Sequence, residues 1–119
     1  MSIPEPHVEL RDHEGFPVLE FHVFFDGQRL GPEVTRLVDG VLAGKKDQII
    51  LDFTRCPIIN SSALGVLMHL GTKVVDDCKG RLVLVGISKL QEELFLLAGV
   101  AVLADILPDL PRALASLRR

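Results

Sequence analysis

The chain has 119 residues, 48% hydrophobic and 24% charged, with 13 basic against 16 acidic side chains and a formal net charge of −3. That length supports one domain with a single core, and the composition is that of a folded chain. A slightly acidic balance without a dense basic cluster argues against gripping a phosphate backbone, so no nucleic-acid partner is expected.

Residues 1–6 carry Pro4 and Pro6 and read as a loose lead-in to one domain spanning 1–119. The N-terminus has neither the positive start nor the apolar stretch of a signal peptide. No later apolar run approaches the ~18 residues of a membrane span, so the expectation is a cytoplasmic protein without one. Val8 and Leu10 alternate with Glu9 and Arg11, and Gly15 and Pro17 punctuate the chain before a second strand at Val18–Phe25, which predicts a hairpin. Pro32 suits the first turn of a helix, whose buried face is Val34, Leu37, Val38, Val41 and Leu42, and Gly44 ends it. "QIILDF" has the continuous apolar character of a strand buried on both sides.

A second helix follows, with Leu64, Leu67, Met68, Gly71, Val74 or Val75, and Cys78 on its inner stripe and Gly80 as the closing C′ residue. "RLVLVGI" is another buried strand. Ser88 with Gln91 makes a capping box for a third helix running to about Gly99. A short strand is expected in "VAVLADI", and Asp109 caps a last helix ending at Arg118 and Arg119. Strands alternating with helices predict an α/β sandwich: a mixed, mostly parallel sheet with right-handed crossovers, about four helices and an N-terminal β-hairpin.

Little in the chain resembles the site of an enzyme. His7, His13, His22 and His69 have no metal-ligand spacing and read as surface residues, so neither metal nor cofactor is expected. Cys56 and Cys78 are far apart and read as reduced thiols in the core. "GVLAGKK" lacks the spacing and the Ser or Thr of a phosphate loop, and adjacent Asp76 and Asp77 serve to solvate a helix end. Asn60, Ser61 and Ser62 differ, because they fall where a strand and loop hand over to a helix. One of them suffices to cap the exposed amides there, worth ~1 kcal/mol; three in a row leave a hydroxyl for solvent, and capping and function weigh about equally. A hydrolase elbow is disfavoured, since GxSxG is absent and no His follows His69. A phosphoserine is the other use, adding about −1.5 to −2 charges at the positive end of a helix.

The segment from Ile49 to Val100 resembles the central part of a STAS domain, the module shared by anti-sigma-factor antagonists and the cytoplasmic tails of sulfate transporters. The family pattern is a buried strand ending in Asp, a loop, Asp-Ser-Ser-Gly-Leu-Gly opening a helix, a Gly-bounded strand, and a Ser-capped helix ending near Leu-x-Gly. Asp52, "NSSALG" from Asn60 to Gly65, Gly80, Gly86 to Ser88, and Leu97 to Gly99 fall in register with it.

The resemblance implies a STAS-type sandwich and a bacterial, non-catalytic signalling module that acts in transcription control. Ser61 is then the phosphoacceptor, with Ser62 the weaker candidate, and Asp52, Asn60, Ala63 and Gly65 are the supporting motif positions. The implied partner is an anti-sigma factor that is also a serine kinase of the histidine-kinase-like ATPase fold, with a phosphatase resetting the state. A monomer or weak dimer is expected.

Two motif positions depart from the pattern. Asn60 replaces the motif Asp and removes a charge beside the acceptor, and Ala63 replaces the motif Gly and adds a methyl group where a partner approaches. "FDGQRLGPEV" also lacks the Leu-Asp followed by Ser or Thr that opens the first helix in the family. The alternative is therefore an unswitched STAS scaffold in a stress-signalling or lipid-transport complex. In either case the contact surface is expected at the loop Pro57, Ile58 and Ile59, with one isoleucine buried and one partly exposed, at the start of the second helix, and at His69, Thr72 and Lys73.

Overall fold

The computed structural model describes residues 7–118; the expected lead-in at 1–6 and Arg119 lie outside the described residues. Strand β1 (Val8–His13) and strand β2 (Phe16–Phe21) form an antiparallel hairpin closed by Glu14 and Gly15, both at positive φ. Such a two-residue turn matches the right-handed twist of the flanking strands. Strands β3 (Gln48–Asp52), β4 (Arg81–Val85) and β5 (Asp105–Leu107) extend the sheet in the order β1-β2-β3-β4-β5, parallel from β2 onward. Ile49–Leu51 and Leu82–Val85 are all buried, because both faces of the central sheet are covered.

Helices α1 (Gly27–Ala43), α2 (Ser61–Gly71), α3 (Lys89–Leu97) and α4 (Val100–Leu103) pack on one face, against Leu19, Phe21, Ile49, Leu51, Leu82 and Leu84. The other face carries helix α5 (Leu110–Leu117), whose Ala113, Leu114 and Leu117 cover Val18, Ile50, Val83 and Val85. Each crossover helix leaves from the carboxyl end of its strand, so the starts of α1, α2 and α3 share one rim of the sheet. Phe21, Phe25 and Phe53 cluster beneath that rim with ring centroids 4.5–6.1 Å apart. Such ring pairs contribute ~1 kcal/mol each beyond their burial.

Several expectations need correction. β2 stops at Phe21: Val23 still packs against the core, Phe24 turns outward, and Phe25 makes only an isolated bridge to Ile59. α1 begins at Gly27, capped by Asp26, so Pro32 lies inside the helix; the bond it cannot donate is missing at the exposed Gln28 carbonyl, within reach of water. Most of the expected strand in "VAVLADI" is instead the single turn α4, which makes five helices among the described residues and leaves Asp105–Leu107 as strand.

Beyond Gly71 the second helix widens into a π-helical segment, Thr72–Asp77, with the Cys78 amide bonded to the Lys73 carbonyl. The wider turn rotates the stripe: Val74 is buried and Cys78 is exposed rather than in the core. The left-handed residue after it is Lys79, at φ 57, not Gly80. Gly80 answers a different need, because a Cβ there would sit 1.9 Å from the Asp47 carbonyl oxygen.

Candidate functional site

Two loops build the site. The β2–α1 loop carries Asp26 and the β3–α2 loop carries Asn60. Both leave the same rim, and the Phe25–Ile59 bridge ties them: the Phe25 amide donates to the Ile58 carbonyl at 2.8 Å and the Asn60 amide to the Phe25 carbonyl at 3.2 Å. Asn60 caps α2. Its Oδ1 accepts from the Ala63 amide at 3.0 Å, from the Ser62 hydroxyl at 2.8 Å and, across the helix pair, from the Gly27 amide at 3.2 Å. Its Nδ2 donates to Asp26 Oδ1 at 3.1 Å, and Asp26 also accepts from the Gln28 amide, capping α1.

Asp26 is the residue that sequence reasoning missed. Its hydrogen bonds from Asn60 and from the Gln28 amide hold its carboxyl below the usual range for an aspartate, against a smaller opposing effect of desolvation. A carboxylate thus stands at the start of α2 although the motif Asp is Asn60; it comes from the neighbouring loop. The signal available was the pair Asp26-Gly27. Asp is a preferred N-cap, and Gly admits the close approach of a second helix.

The two serines divide the work. The Ser62 hydroxyl is half-buried and tied to Asn60 and, more weakly, to Asp26. Ser61 is the first residue of α2 and is exposed, and among the described residues nothing hydrogen-bonds its hydroxyl. Gly65, one turn further along the same face, is also exposed with open space beside it. Ala63 points the other way and is 0% exposed, so its methyl group fills core and cannot meet a partner, contrary to the expectation.

The remaining candidates fall into separate places. Pro57 and Ile58 are exposed beside Ser61, Ile58 by 55%, whereas Ile59 is only half-buried, so neither isoleucine is fully inside. Cys56 is also half-buried, and burial pushes its thiol up, away from a reactive thiolate. Asp52 is not at the site; it holds the turn after β3 by accepting from the Thr54 amide and hydroxyl. His69 and Thr72 are exposed but lie about 12 and 16 Å along the helix from Ser61. Lys73 is engaged with Asp39 of α1 at 2.6 Å. Beside Asp26 a cleft of about 190 Å³ is lined by Val23, Phe24, Arg29 and Leu30. This is below the ~300 Å³ at which small-molecule pockets usually begin.

No family model matches the chain, and no curated protein matches its sequence. Solved structures do match its fold. A structure described as a candidate anti-sigma factor antagonist from Thermotoga maritima superposes with a TM-score of 0.82 at 18% identity, covering 94% of this chain and 95% of that one. An anti-sigma factor antagonist from Mycobacterium paratuberculosis gives 0.80 at 19% identity, over 94% and 93%. The Bacillus cell fate determinant SpoIIAA in its phosphorylated form gives 0.69 at 16% identity, over 94% and 99%. The chain therefore has the fold of the STAS-type anti-sigma-factor antagonists, as the resemblance of its central segment implied. Among the described residues no helix is long and apolar enough to cross a membrane.

Proposed function

We propose that this chain is a non-catalytic binding module whose grip on a partner protein is controlled by phosphorylation of Ser61. The observation that supports it best is the unequal treatment of the two adjacent hydroxyls. Ser62 is consumed in holding α1 to α2, while Ser61 stands exposed at a helix N-terminus. A phosphate there lies among free amides at the positive end of the helix, so the fold tolerates it.

Beside Ser61 are the features of a docking surface: exposed Pro57 and Ile58 on the loop before it and the bare backbone at Gly65 one turn after it. A partner packed over them would bury a phosphoserine dianion without a counterion, which costs more than the contact returns. The partner in this reading is an anti-sigma factor that is itself an ATP-dependent serine kinase, and a phosphatase restores binding. Asp26, the N-cap of α1, keeps one carboxylate beside Asn60, so the start of α2 retains a negative charge with the motif Asp replaced.

The test is capture of partners from the native host with wild-type and Ser61→Asp protein side by side, together with phosphosite mapping by mass spectrometry. Loss of a captured kinase-like ATPase on Ser61→Asp, and phosphate found on Ser61, support the switch. Equal capture by both proteins with no phosphate on Ser61 makes the chain an unswitched scaffold.

A further inference from the structure

The outer edge of β1 fits a second copy of itself. The hairpin sets Glu9, Arg11 and His13 opposite Glu20, Val18 and Phe16, and the two-residue turn makes His13 and Phe16 a hydrogen-bonded pair. The bond from the His22 amide to the His7 carbonyl, 2.9 Å, keeps the same phase at the other end. The odd-numbered residues therefore turn their backbone groups towards β2. The amides and carbonyls of Val8, Leu10 and Asp12 point outward, and among the described residues β1 pairs with no other strand.

We propose that two copies of the chain join through β1, antiparallel about a twofold axis at Leu10, to form one continuous sheet. In that register Val8, Leu10 and Asp12 each exchange an N–H and a C=O with the second copy. Arg11 already meets Glu9 at 3.0 Å and Glu20 at 2.6 Å within its own chain. In the dimer Glu9 also faces Arg11 of the second copy on both sides of the axis, with Cβ atoms about 4.5–5.5 Å apart, so these charges join in one network across the seam. The neighbouring choices are worse. An axis at Glu9 or at Arg11 sets like charges face to face, and an axis at Val8 or Asp12 moves to a strand end and pairs few residues. Leu10, 43% exposed, meets Leu10 of the second copy beside a groove of about 340 Å³ lined by Pro17, Gly40, Val41 and Gly44. β1 carries the charges of Glu9, Arg11 and Asp12 but no Pro or bulge that would break its outward backbone pairing. No residue of β1 belongs to the Asp26, Asn60 and Ser61 cluster, so the contact stands apart from the proposed switch, and a dimer displays two copies of that surface.

The experiment is sedimentation velocity of the full chain over a wide concentration range, with circular dichroism to confirm folding. Wild type forms a reversible dimer. Leu10→Pro removes an outward amide that the monomer does not use, so it stays folded and sediments as a monomer. Glu9→Arg and Arg11→Glu each weaken self-association about tenfold, and an equimolar mixture of the two associates as wild type does, because the charges again oppose across the axis. A wild type that is monomeric throughout overturns the proposal, as does a dimer indifferent to all three variants. A dimer lost instead on Leu94→Glu moves the contact to the exposed leucines of α3 and overturns it equally.

Discussion

Replacing Gly27 with Ala should unseat the junction of α1 and α2. A Cβ at Gly27 would lie 2.3 Å from the Ser62 carbonyl carbon and oxygen and 2.4 Å from the Ala63 amide nitrogen. These are backbone atoms, so no rotamer change relieves them, and the helices must part by roughly 1 Å to reach ordinary contact at ~3.5 Å. Overpacking of this kind costs ~1–3 kcal/mol. Separation also breaks the 3.2 Å bond from the Gly27 amide to Asn60, adding about 1 kcal/mol. Alanine regains at most ~1 kcal/mol of helix propensity, and less at the first residue of a helix. The expected net loss is about 3 kcal/mol, against a total stability of roughly 5–15 kcal/mol. It should lower the melting temperature by about 10 °C. Gly40→Ala is the control, since that helical glycine has nothing within 4 Å and the same change there should stabilise by up to ~1 kcal/mol. Urea denaturation of both variants beside wild type decides the matter. A Gly27→Ala protein within about 0.5 kcal/mol of wild type refutes the close-approach account of this site.

Asn60→Ala removes an acceptor shared by three donors and should cost ~2–3 kcal/mol by urea denaturation. Asn60→Asp restores the motif residue yet loses the donor to Asp26 and sets two carboxylates about 3 Å apart. It should be less stable than wild type at pH 7, with a gap that narrows as pH falls towards about 4 and one carboxyl takes up a proton; an equal or greater stability at pH 7 would show that the carboxylates avoid one another. The lowered pKa of Asp26 means that its contribution is present above its unfolded value of about 3.9 and is lost as pH falls through the lower folded value. Asp26→Asn should therefore flatten the acid limb of the stability curve below about pH 4, and an unchanged limb contradicts that assignment. Lys79, at φ 57, should tolerate Gly with a gain of about 1 kcal/mol in thermal melts, because glycine adopts that conformation without strain.

The sheet was legible because Ile49–Leu51 and Leu82–Val85 are continuous apolar runs, and the caps at Ser88 and Asp109 were legible because capping is local chemistry. That one hydroxyl of the Asn60–Ser62 run would face solvent was anticipated from its position at the helix start, and Ser61 was singled out only by the family resemblance. Three things escaped. Asp26 looked like part of a turn, and its role depends on Asn60, 34 positions away. The π-helical segment keeps a helical composition, so its outward rotation of Cys78 leaves no trace in the apolar spacing. The direction of Ala63 follows from the docking of α2 rather than from its own preference for helix.

The widened turn between Gly71 and Cys78 also bears on how this chain can change length. A π-helical turn holds one residue more than an α-turn while leaving the segments on either side in place. It acts as a reservoir of chain. Deleting one outward residue there, such as Asp76, would tighten the turn to ordinary α geometry and leave both the Ser61 end of α2 and the entry to β4 undisturbed. Chains of this architecture could thus gain or lose a residue at this point in evolution, with the cost confined to the far end of the helix and the Ser61 end unaffected.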